Sequence, residues 1–405
     1  MKILFIYTDV DTNSNRRYPY SIGALSGFLK KHGYETRLLY IKADVSEEDL
    51  LYMVWRENAD LIAFSTVTFQ WELTRQIARS IKKKFDVPII CGGVHATFMP
   101  EEVISEPSIN MICIGEGEYV MLDLLERMEN NGDLSTIQNI WIKNESGKIF
   151  RNEVRPLLRD LDSLPFPDRE IVPYAEFLNE SRSEPAFMTS RGCPFNCTYC
   201  SNSAYKVLYK GKGTYVRQRS PENVIKEIAE LRSNYSFDSL NFYDEIFGID
   251  LNWLTKFCGM YKSEFGLPFG IFVRAEAMDR DRLHLMRDAG LTLIYIGVES
   301  GNDDIRRNVM RRKVSKDRII KTCRDAQAEG IQVWTLNMIG VPGETPDTIK
   351  ETMELNRIID PSYASVAIYQ PLPGTELFNM CVENNYIKKA AMKSLYSDTV
   401  LAQIL

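Results

Sequence analysis

Missing from this chain is any excess of positive charge: 49 lysines and arginines stand against 55 aspartates and glutamates, for a net charge of −6 over 405 residues. That leaves no basic footprint, and no nucleic acid is expected as a partner. Long apolar runs are missing too, so no stretch of the sequence spans a bilayer. The opening MKILFIYTDVDTNSN turns polar after Tyr7 and carries no small-residue cleavage site, which makes it a strand rather than a signal peptide. No repeat of roughly 20 to 50 residues recurs, which sets solenoids aside. Cysteine is present, eight in all, but not as a disulfide framework. Scattered thiols with three close together fit a reduced, cytoplasmic protein with a metal site. What is there is the composition of a folded protein, 44% hydrophobic and 26% charged, with length for two or three domains.

Up to residue 150, short β-rich apolar runs alternate with amphipathic stretches. Strands are predicted at Lys2–Tyr7, Glu35–Tyr40, Leu61–Ser65, Val87–Cys91 and Met111–Ile114. Helices are predicted at Tyr20–His32, Glu47–Glu57, Trp71–Phe85 and Glu118–Asn130, where apolar residues recur every three or four positions. Such alternation means a parallel sheet covered on both faces, with ligands at the carboxyl ends of its strands. A hairpin is expected from Ile137–Ile142 and Lys148–Arg151. Then RPLLRDLDSLPFPD (Arg155–Asp168), with three prolines, suits neither helix nor strand and reads as an interdomain linker. Beyond it the alternation restarts, with strands expected at Ala186–Thr189, Ser239–Tyr243, Phe269–Arg274, Leu293–Val298, Gln332–Met338 and Ala364–Tyr369. Those six units are fewer than the eight of a closed barrel, and an open barrel would leave a lateral gap for substrate. The fold class is α/β: a Rossmann-like parallel sheet at 1–150, a linker at 151–183, a (β/α)6 partial TIM barrel at 184–378 and a short C-terminal segment at 379–405.

Directly after the first strand of the second half comes Thr189-Ser190-Arg191-Gly192-Cys193-Pro194-Phe195-Asn196-Cys197-Thr198-Tyr199-Cys200, a C-x3-C-x2-C spacing. Three thiolates can serve three irons of a 4Fe–4S cube and leave the fourth bare, whereas structural zinc wants a closed site of four ligands. Cys113 and Cys258, the next cysteines, are far off in sequence and read as buried inert thiols. Zinc or a redox pair is the competing reading of the trio.

With an aromatic residue before the third cysteine and its place after strand one of a six-unit barrel, the motif resembles that of the radical S-adenosylmethionine (SAM) superfamily. The resemblance implies a 4Fe–4S cluster on Cys193, Cys197 and Cys200, whose open iron takes the amino and carboxylate groups of SAM and whose electron cleaves it to a 5'-deoxyadenosyl radical. It implies Tyr199 near the adenine and SAM contacts at the strand ends: Tyr243, Asp244 and Glu245 after strand two, Arg274 after strand three, Glu299 and Ser300 after strand four, and Asn337 on strand five. For any one of these, a helix cap or rim ion pair is the competing reading. Pro371-Leu372-Pro373-Gly374-Thr375 after strand six fits the same pattern, though alone it is only a turn.

The first half carries Cys91-Gly92-Gly93-Val94-His95-Ala96-Thr97 after strand four and Ile114-Gly115-Glu116-Gly117-Glu118 after strand five. Paired glycines let a backbone approach a bulky ligand, although tight turns alone would also use them. No G-x-G-x-x-G follows strand one, which disfavours a dinucleotide. Together with Tyr18-Pro19-Tyr20-Ser21-Ile22-Gly23 and Ser65-Thr66-Val67-Thr68, these loops are similar to the cobalamin-binding domain fused to many radical SAM enzymes. That likeness implies cobalamin contacts from Asp9, Tyr20, Ser65, Thr66, Val67, Thr68, Gly92, Gly93, Val94, His95, Gly115, Glu116 and Gly117. A degenerate domain that keeps the fold without the cofactor is the alternative. Of the three histidines, none lies in the loop after strand one, so a cobalt without a protein lower ligand is expected. His95 is set at the nucleotide tail, while His32 and His284 read as cap or solvated residues.

Two cofactors on either side of one cavity imply, by the resemblance, a cobalamin-dependent radical SAM enzyme that methylates an unactivated carbon: the 5'-deoxyadenosyl radical takes hydrogen and the substrate radical takes methyl from methylcobalamin. Non-methylating oxidation, cyclisation, ring contraction or carbon coupling is the alternative, and a non-catalytic cobalamin or iron–sulfur sensor a further one. The expected partners are an electron donor of flavodoxin or ferredoxin type and a small-molecule, lipid or carrier-bound substrate. The few residues after Gly374 suggest either a mouth left open for a large, lipid or carrier-bound substrate or a partner or second subunit that closes the barrel.

Overall fold

The computed structural model describes residues 1–9, 18–42, 45–181 and 184–387. The histidine-free loop after strand one falls mostly on 10–17 and the C-terminal segment mostly on 388–405, both outside the described residues.

Strands β1 (Lys2–Asp9), β2 (Glu35–Lys42), β3 (Leu61–Ser65), β4 (Ile89–Gly92) and β5 (Met111–Cys113) run parallel, and β6 (Ile140–Lys143) and β7 (Ile149–Arg151) add on antiparallel. The sheet order is β2-β1-β3-β4-β5-β6-β7. β1 shows why both faces are covered: Leu4 and Ile6 enter the core under helices Glu47–Glu57 and Trp71–Lys82, while Ile3 and Phe5 enter the one under Tyr20–Lys31 and Glu118–Glu129. A parallel strand buried on both sides reads as an unbroken apolar run, as LFI does here. The chain leaves β1 for β2 on one side and returns to β3 on the other, so a crevice opens at the carboxyl ends of β1 and β3. Short helices Val94–Phe98 and Pro100–Ser105, which the periodicity did not reveal, fill the connection from β4 to β5.

The second half forms a curved parallel sheet of β8 (Ala186–Phe187), β11 (Leu240–Phe242), β12 (Phe269–Val273), β13 (Leu291–Glu299), β14 (Gln332–Ile339) and β15 (Tyr363–Ile368), in the order β15-β14-β13-β12-β11-β8. Its first strand is shorter than expected, because β9 (Ser190–Arg191) turns away to pair antiparallel with β10 (Arg217–Gln218). Alternation sorts the side chains. Leu240, Phe242, Ile271, Val273, Ile294, Ile296, Val298 and Val333 join the core under the surrounding helices, and the residues between them face the lumen. β8 and β15 do not pair with each other, so the barrel is open along one side. No helix among the described residues is long and apolar enough to cross a membrane.

The proline-rich stretch is held against both halves. Asp168 receives a bond from Ser26 Oγ at 2.5 Å and pairs with Lys30 at 2.7 Å, while Tyr18 Oη donates to its carbonyl at 2.9 Å. On the barrel side, Leu157 N–H donates to the Lys212 carbonyl at 2.8 Å and Arg217 donates to that of Leu158 at 2.8 Å. Apart from one 3-10 turn at Leu161–Ser163, proline keeps this segment out of helix and strand, which frees its peptide groups for partners on either side.

Candidate active site

The cysteine loop leaves β9 and runs into helix Ser201–Leu208. Cys193 and Cys197 are buried and Cys200 is half-buried. Burial pushes the Cys193 thiol up to about 11 and raises Cys200 as well, so a cation must come before these groups give up their protons. Positive side chains lie alongside. Arg274 Nη1 donates to Cys197 Sγ at 2.8 Å with its guanidinium over the Phe195 ring at 3.8 Å, and Lys206 Nζ donates to the Phe195 carbonyl at 2.5 Å. Hydrogen bonds to a ligand sulfur tune an iron–sulfur potential. Among the described residues, no three His, Cys, Asp or Glu side chains converge as around a single ion, but a cube asks for one thiolate per iron. This donor set, three thiols with cations beside them, suits an anionic cluster.

At the barrel rim the expected SAM residues divide. Tyr243 and Glu245 are exposed after β11, and Glu245 lies close enough to Cys200 for its charge to be felt there. Tyr199 Oη accepts from Arg312 at 3.2 Å, and Arg312 also donates to Glu299 at 2.9 Å and to the Gly297 carbonyl at 2.7 Å. Arg274 joins this rim through Glu276, to which it donates at 2.5 Å. Three residues correct the expectation. Asp244 is 1% exposed and accepts from Thr189 N–H at 3.0 Å, Thr189 Oγ1 at 2.8 Å and Ser190 Oγ, so its carboxylate fixes the entry to the cysteine loop instead of facing a ligand. Burial raises that carboxyl to about 6. Ser300 is fully buried, with its Oγ accepting from Asn302 N–H at 3.2 Å. Asn337 points to the helix side, where it accepts from Asn356 Nδ2 at 2.8 Å and donates to the Ser365 carbonyl at 3.0 Å. Sequence reasoning missed Arg312 and Arg306, both buried; the basic run Arg311-Arg312-Lys313 after β13 was the available signal.

The carboxyl ends of β3 and β4 form the other rim, with Ser65, Gly92, Gly93 and Val94 partly open and Val67 exposed. Gly93 has φ 92°, and a Cβ there would lie 2.6 Å from the Thr66 backbone, so only glycine lets the two loops touch. Thr66 and Thr68 lie beneath, Thr66 N–H donating to the Gly92 carbonyl at 2.9 Å and Thr68 Oγ1 sitting 3.3 Å from His95 Nδ1. His95 is 3% exposed against Trp71, and its Nε2 is a buried polar atom without a partner among the described residues. Burial lowers its pKa to about 4, which keeps the ring neutral. Small residues partly open at these strand ends, with an orphaned nitrogen below, suit a bulky ligand. Asp9 accepts from Tyr40 Oη at 2.5 Å at the end of β1. His32 Nδ1 lies 2.8 Å from the Phe28 carbonyl and His284 2.8 Å from Glu329, in keeping with cap and surface roles.

Tyr20, Gly115 and Glu116 are placed at the seam between the halves, while Gly117 packs within the first half, against Leu25 and Cys113. Tyr20 lies 5.5 Å from the Arg169 guanidinium. Glu116 accepts from Arg217 at 2.7 and 3.0 Å and from Arg191 at 3.3 Å, while its own N–H donates to Tyr209 Oη at 2.9 Å. A Cβ on Gly115, φ 79°, would collide with that Tyr209 hydroxyl, and one on Gly117 would press on Leu25. Glu118 accepts from Arg191 at 2.5 Å; burial works to raise its carboxyl, but Arg191 overrides this and holds it below the usual range. Arg191 is two positions before Cys193, so the loop after β5 is tied to the strand that delivers the cysteines. Phe98 packs on Tyr205 at 4.7 Å, and Gly374, φ 83°, brings the turn after β15 so near that a Cβ would lie 2.7 Å from the Phe98 ring. The carboxyl ends of the sheet thus meet the carboxyl rim of the barrel.

Residues 187–355 match the Radical SAM superfamily. That stretch is a radical SAM domain. Residues 11–125 match the B12 binding domain, so this radical SAM chain is of the cobalamin-dependent kind, with a 4Fe–4S cluster, SAM and cobalamin as its cofactors. Its curated relatives include an uncharacterized methyltransferase of Pyrococcus horikoshii, 25% identical over 96% of this chain and 84% of the relative. Another is the anaerobic magnesium-protoporphyrin IX monomethyl ester cyclase of Rubrivivax gelatinosus, 28% identical over 93% and 69%. Among solved structures, the radical SAM methyltransferase TsrM from Kitasatospora setae, with cobalamin and a [4Fe-4S] cluster bound, superposes with a TM-score of 0.77 at 16% identity, covering 95% of this chain and 75% of its own. The cobalamin-dependent SAM radical enzyme OxsB gives 0.78 at 20% identity, covering 95% and 61%. These likenesses show the fold.

Proposed function

We propose that this radical SAM protein methylates an unactivated carbon at the seam between its halves, 1–150 and 184–378, joined by the linker at 151–183. When bound, the cluster and SAM supply a carbon-centred radical able to take a hydrogen atom, and the corrin supplies a methyl group. In this reading Cys193, Cys197 and Cys200 hold the cluster. Tyr199, Tyr243, Glu245, Arg274 and Glu299 face SAM, with Arg312 orienting Tyr199 and Glu299. Ser65, Val67, Gly92, Gly93 and Val94 face the corrin, with Thr66, Thr68 and His95 beneath. One observation carries the reading: the carboxyl ends of the sheet and of the barrel meet at one seam, where Glu116 and Glu118 bind the arginine two positions before the first cysteine. The protein's part is to hold the reacting groups in line and shield them from water. In this reading a flavodoxin- or ferredoxin-type donor supplies the electron, and the free thiols among the described residues are in keeping with a reducing, cytoplasmic setting.

Protein prepared anaerobically with cobalamin should convert SAM to 5'-deoxyadenosine when dithionite is added, and replacing Cys193, Cys197 and Cys200 by alanine should remove both the iron and that product. Labelled methyl from SAM should appear on the corrin. Product formation without that label would favour the oxidising or cyclising alternative, a chemistry that the name of the Rubrivivax relative brings into view. No 5'-deoxyadenosine from protein carrying iron and corrin would sink the enzymatic reading in favour of a sensor.

A further inference from the structure

Below the rim, the lumen carries one aromatic side chain from each of five neighbouring strands: Tyr243 just past β11, Phe272 on β12, Tyr295 on β13, Trp334 on β14 and Tyr363 on β15. Phe272 is in register with Tyr295, Tyr295 with Trp334, and Trp334 with Tyr363. Successive ring centroids are 5.5, 4.6, 5.4 and 5.0 Å apart. One end of this ladder, Tyr243, adjoins Asp244-Glu245 beside the cysteine loop. The other, Tyr363, opens edge strand β15 at the lateral gap, and both end rings are half exposed. Barrel lumens are normally closed by branched aliphatic side chains. Trp334 Nε1, a buried donor within the ladder, has no partner among the described residues.

We propose that the ladder seats an extended, flat, unsaturated part of the substrate, with a hydrogen-bond acceptor of that substrate on the Trp334 indole N–H. The proposal rests on the reading of this barrel as the radical SAM active site. Four strand spacings of about 4.8 Å make the ladder nearly 20 Å long, several ring widths. Phe272 and Tyr295 stack face to face at 15° and so turn their edges to the lumen, while the other three pairs are tilted by 43°, 38° and 34°. Ring edges are the positive part of the quadrupole and attract the negative face of a conjugated system, whereas a flexible saturated chain gains only buried area from them. An unpaired buried N–H selects for an acceptor in the same way, because leaving it unpaired is costly.

Equilibrium dialysis of the reconstituted wild-type protein against protoporphyrin IX, a large flat probe, and farnesol, a flexible apolar one, tests this. Protoporphyrin should bind at least about tenfold more tightly, and Trp334→Phe and Tyr363→Leu should each weaken it by about three- to tenfold while leaving farnesol unmoved. Tyr363 is half exposed, so its variant keeps the test decisive should the tryptophan variant not fold. Equal affinity for the two probes, or a protoporphyrin affinity that neither folded variant changes, overturns the proposal. Wild-type protein that makes 5'-deoxyadenosine yet does not take up protoporphyrin discards the ladder alone. Wild-type protein that makes none discards the functional reading and the ladder with it.

Discussion

Glu299 stands at φ 64°, a left-handed backbone that a glutamate adopts only where its surroundings hold it, and its carboxylate lies on Arg312. Arg312 in turn reaches Tyr199 and the Gly297 carbonyl, so one planar fork orders three groups at the SAM rim. Arg312→Lys keeps the charge but not the fork. It should weaken SAM binding by about tenfold in calorimetry, with the iron content unchanged, since two hydrogen bonds of about 1 kcal/mol each are at stake. His95 gives a second expectation. Its folded pKa of about 4 lies below the ordinary value of 6.5, so between those pH values the unfolded chain binds a proton that the folded one does not. Stability therefore falls as pH drops through that window, by at most about 3 kcal/mol. Asp244 works the other way, because its carboxyl is raised from 3.8 to about 6 and favours the folded state at lower pH. The slope that His95→Phe removes from a plot of melting temperature against pH isolates the histidine; an unchanged slope would refute the buried neutral ring.

At the level of strands, the division between residues that face the lumen and residues that do not follows parity. Leu240, Phe242 and Asp244 alternate with Asn241, Tyr243 and Glu245; Ile296, Val298 and Ser300 with Gly297 and Glu299; Val333, Thr335 and Asn337 with Trp334, Leu336 and Met338. Asp244, Ser300 and Asn337 share their parity with core residues, a signal present in the sequence that the argument from strand ends passed over. Strand positions and the cysteine spacing were legible because they are local. The clamp of Glu116 and Glu118 onto Arg191 and Arg217 was not, since its partners lie 73 to 101 positions apart and the same glycine-rich loop suits a ligand equally well. Glu116→Gln should leave corrin absorbance and iron content intact while lowering labelled-methyl transfer from SAM to the corrin by about tenfold or more, because small misplacements are amplified in reacting geometry. Glu118→Gln, which removes one of the two carboxylates on Arg191, should destabilise the fold by about 2 kcal/mol in denaturant titration.

Across the whole molecule, the described residues form four apolar clusters, two on the faces of the first sheet, one under the barrel helices and a smaller one around Leu377 and Cys381; one of the first sheet's clusters reaches Tyr209 on the barrel side, and the remaining ties between the halves are largely charged and aromatic. A ligand that binds one half should therefore steady the other through that seam. Saturating cobalamin is expected to raise the melting temperature monitored at the barrel as well as at the sheet, by an amount that grows with the logarithm of its concentration. In Glu116→Gln the barrel signal should no longer follow the ligand. Calorimetry with and without hydroxocobalamin reads both.

The segment from Arg155 to Asp168 is bonded to the first helix on one side and to the stretch around Lys212 and Arg217 on the other. Held that way, this stretch fastens both halves instead of hanging free between them. Among the described residues β8 and β15 leave one flank of the barrel unjoined, a doorway whose threshold is Tyr363, and its width is expected to decide how bulky a visitor the interior admits.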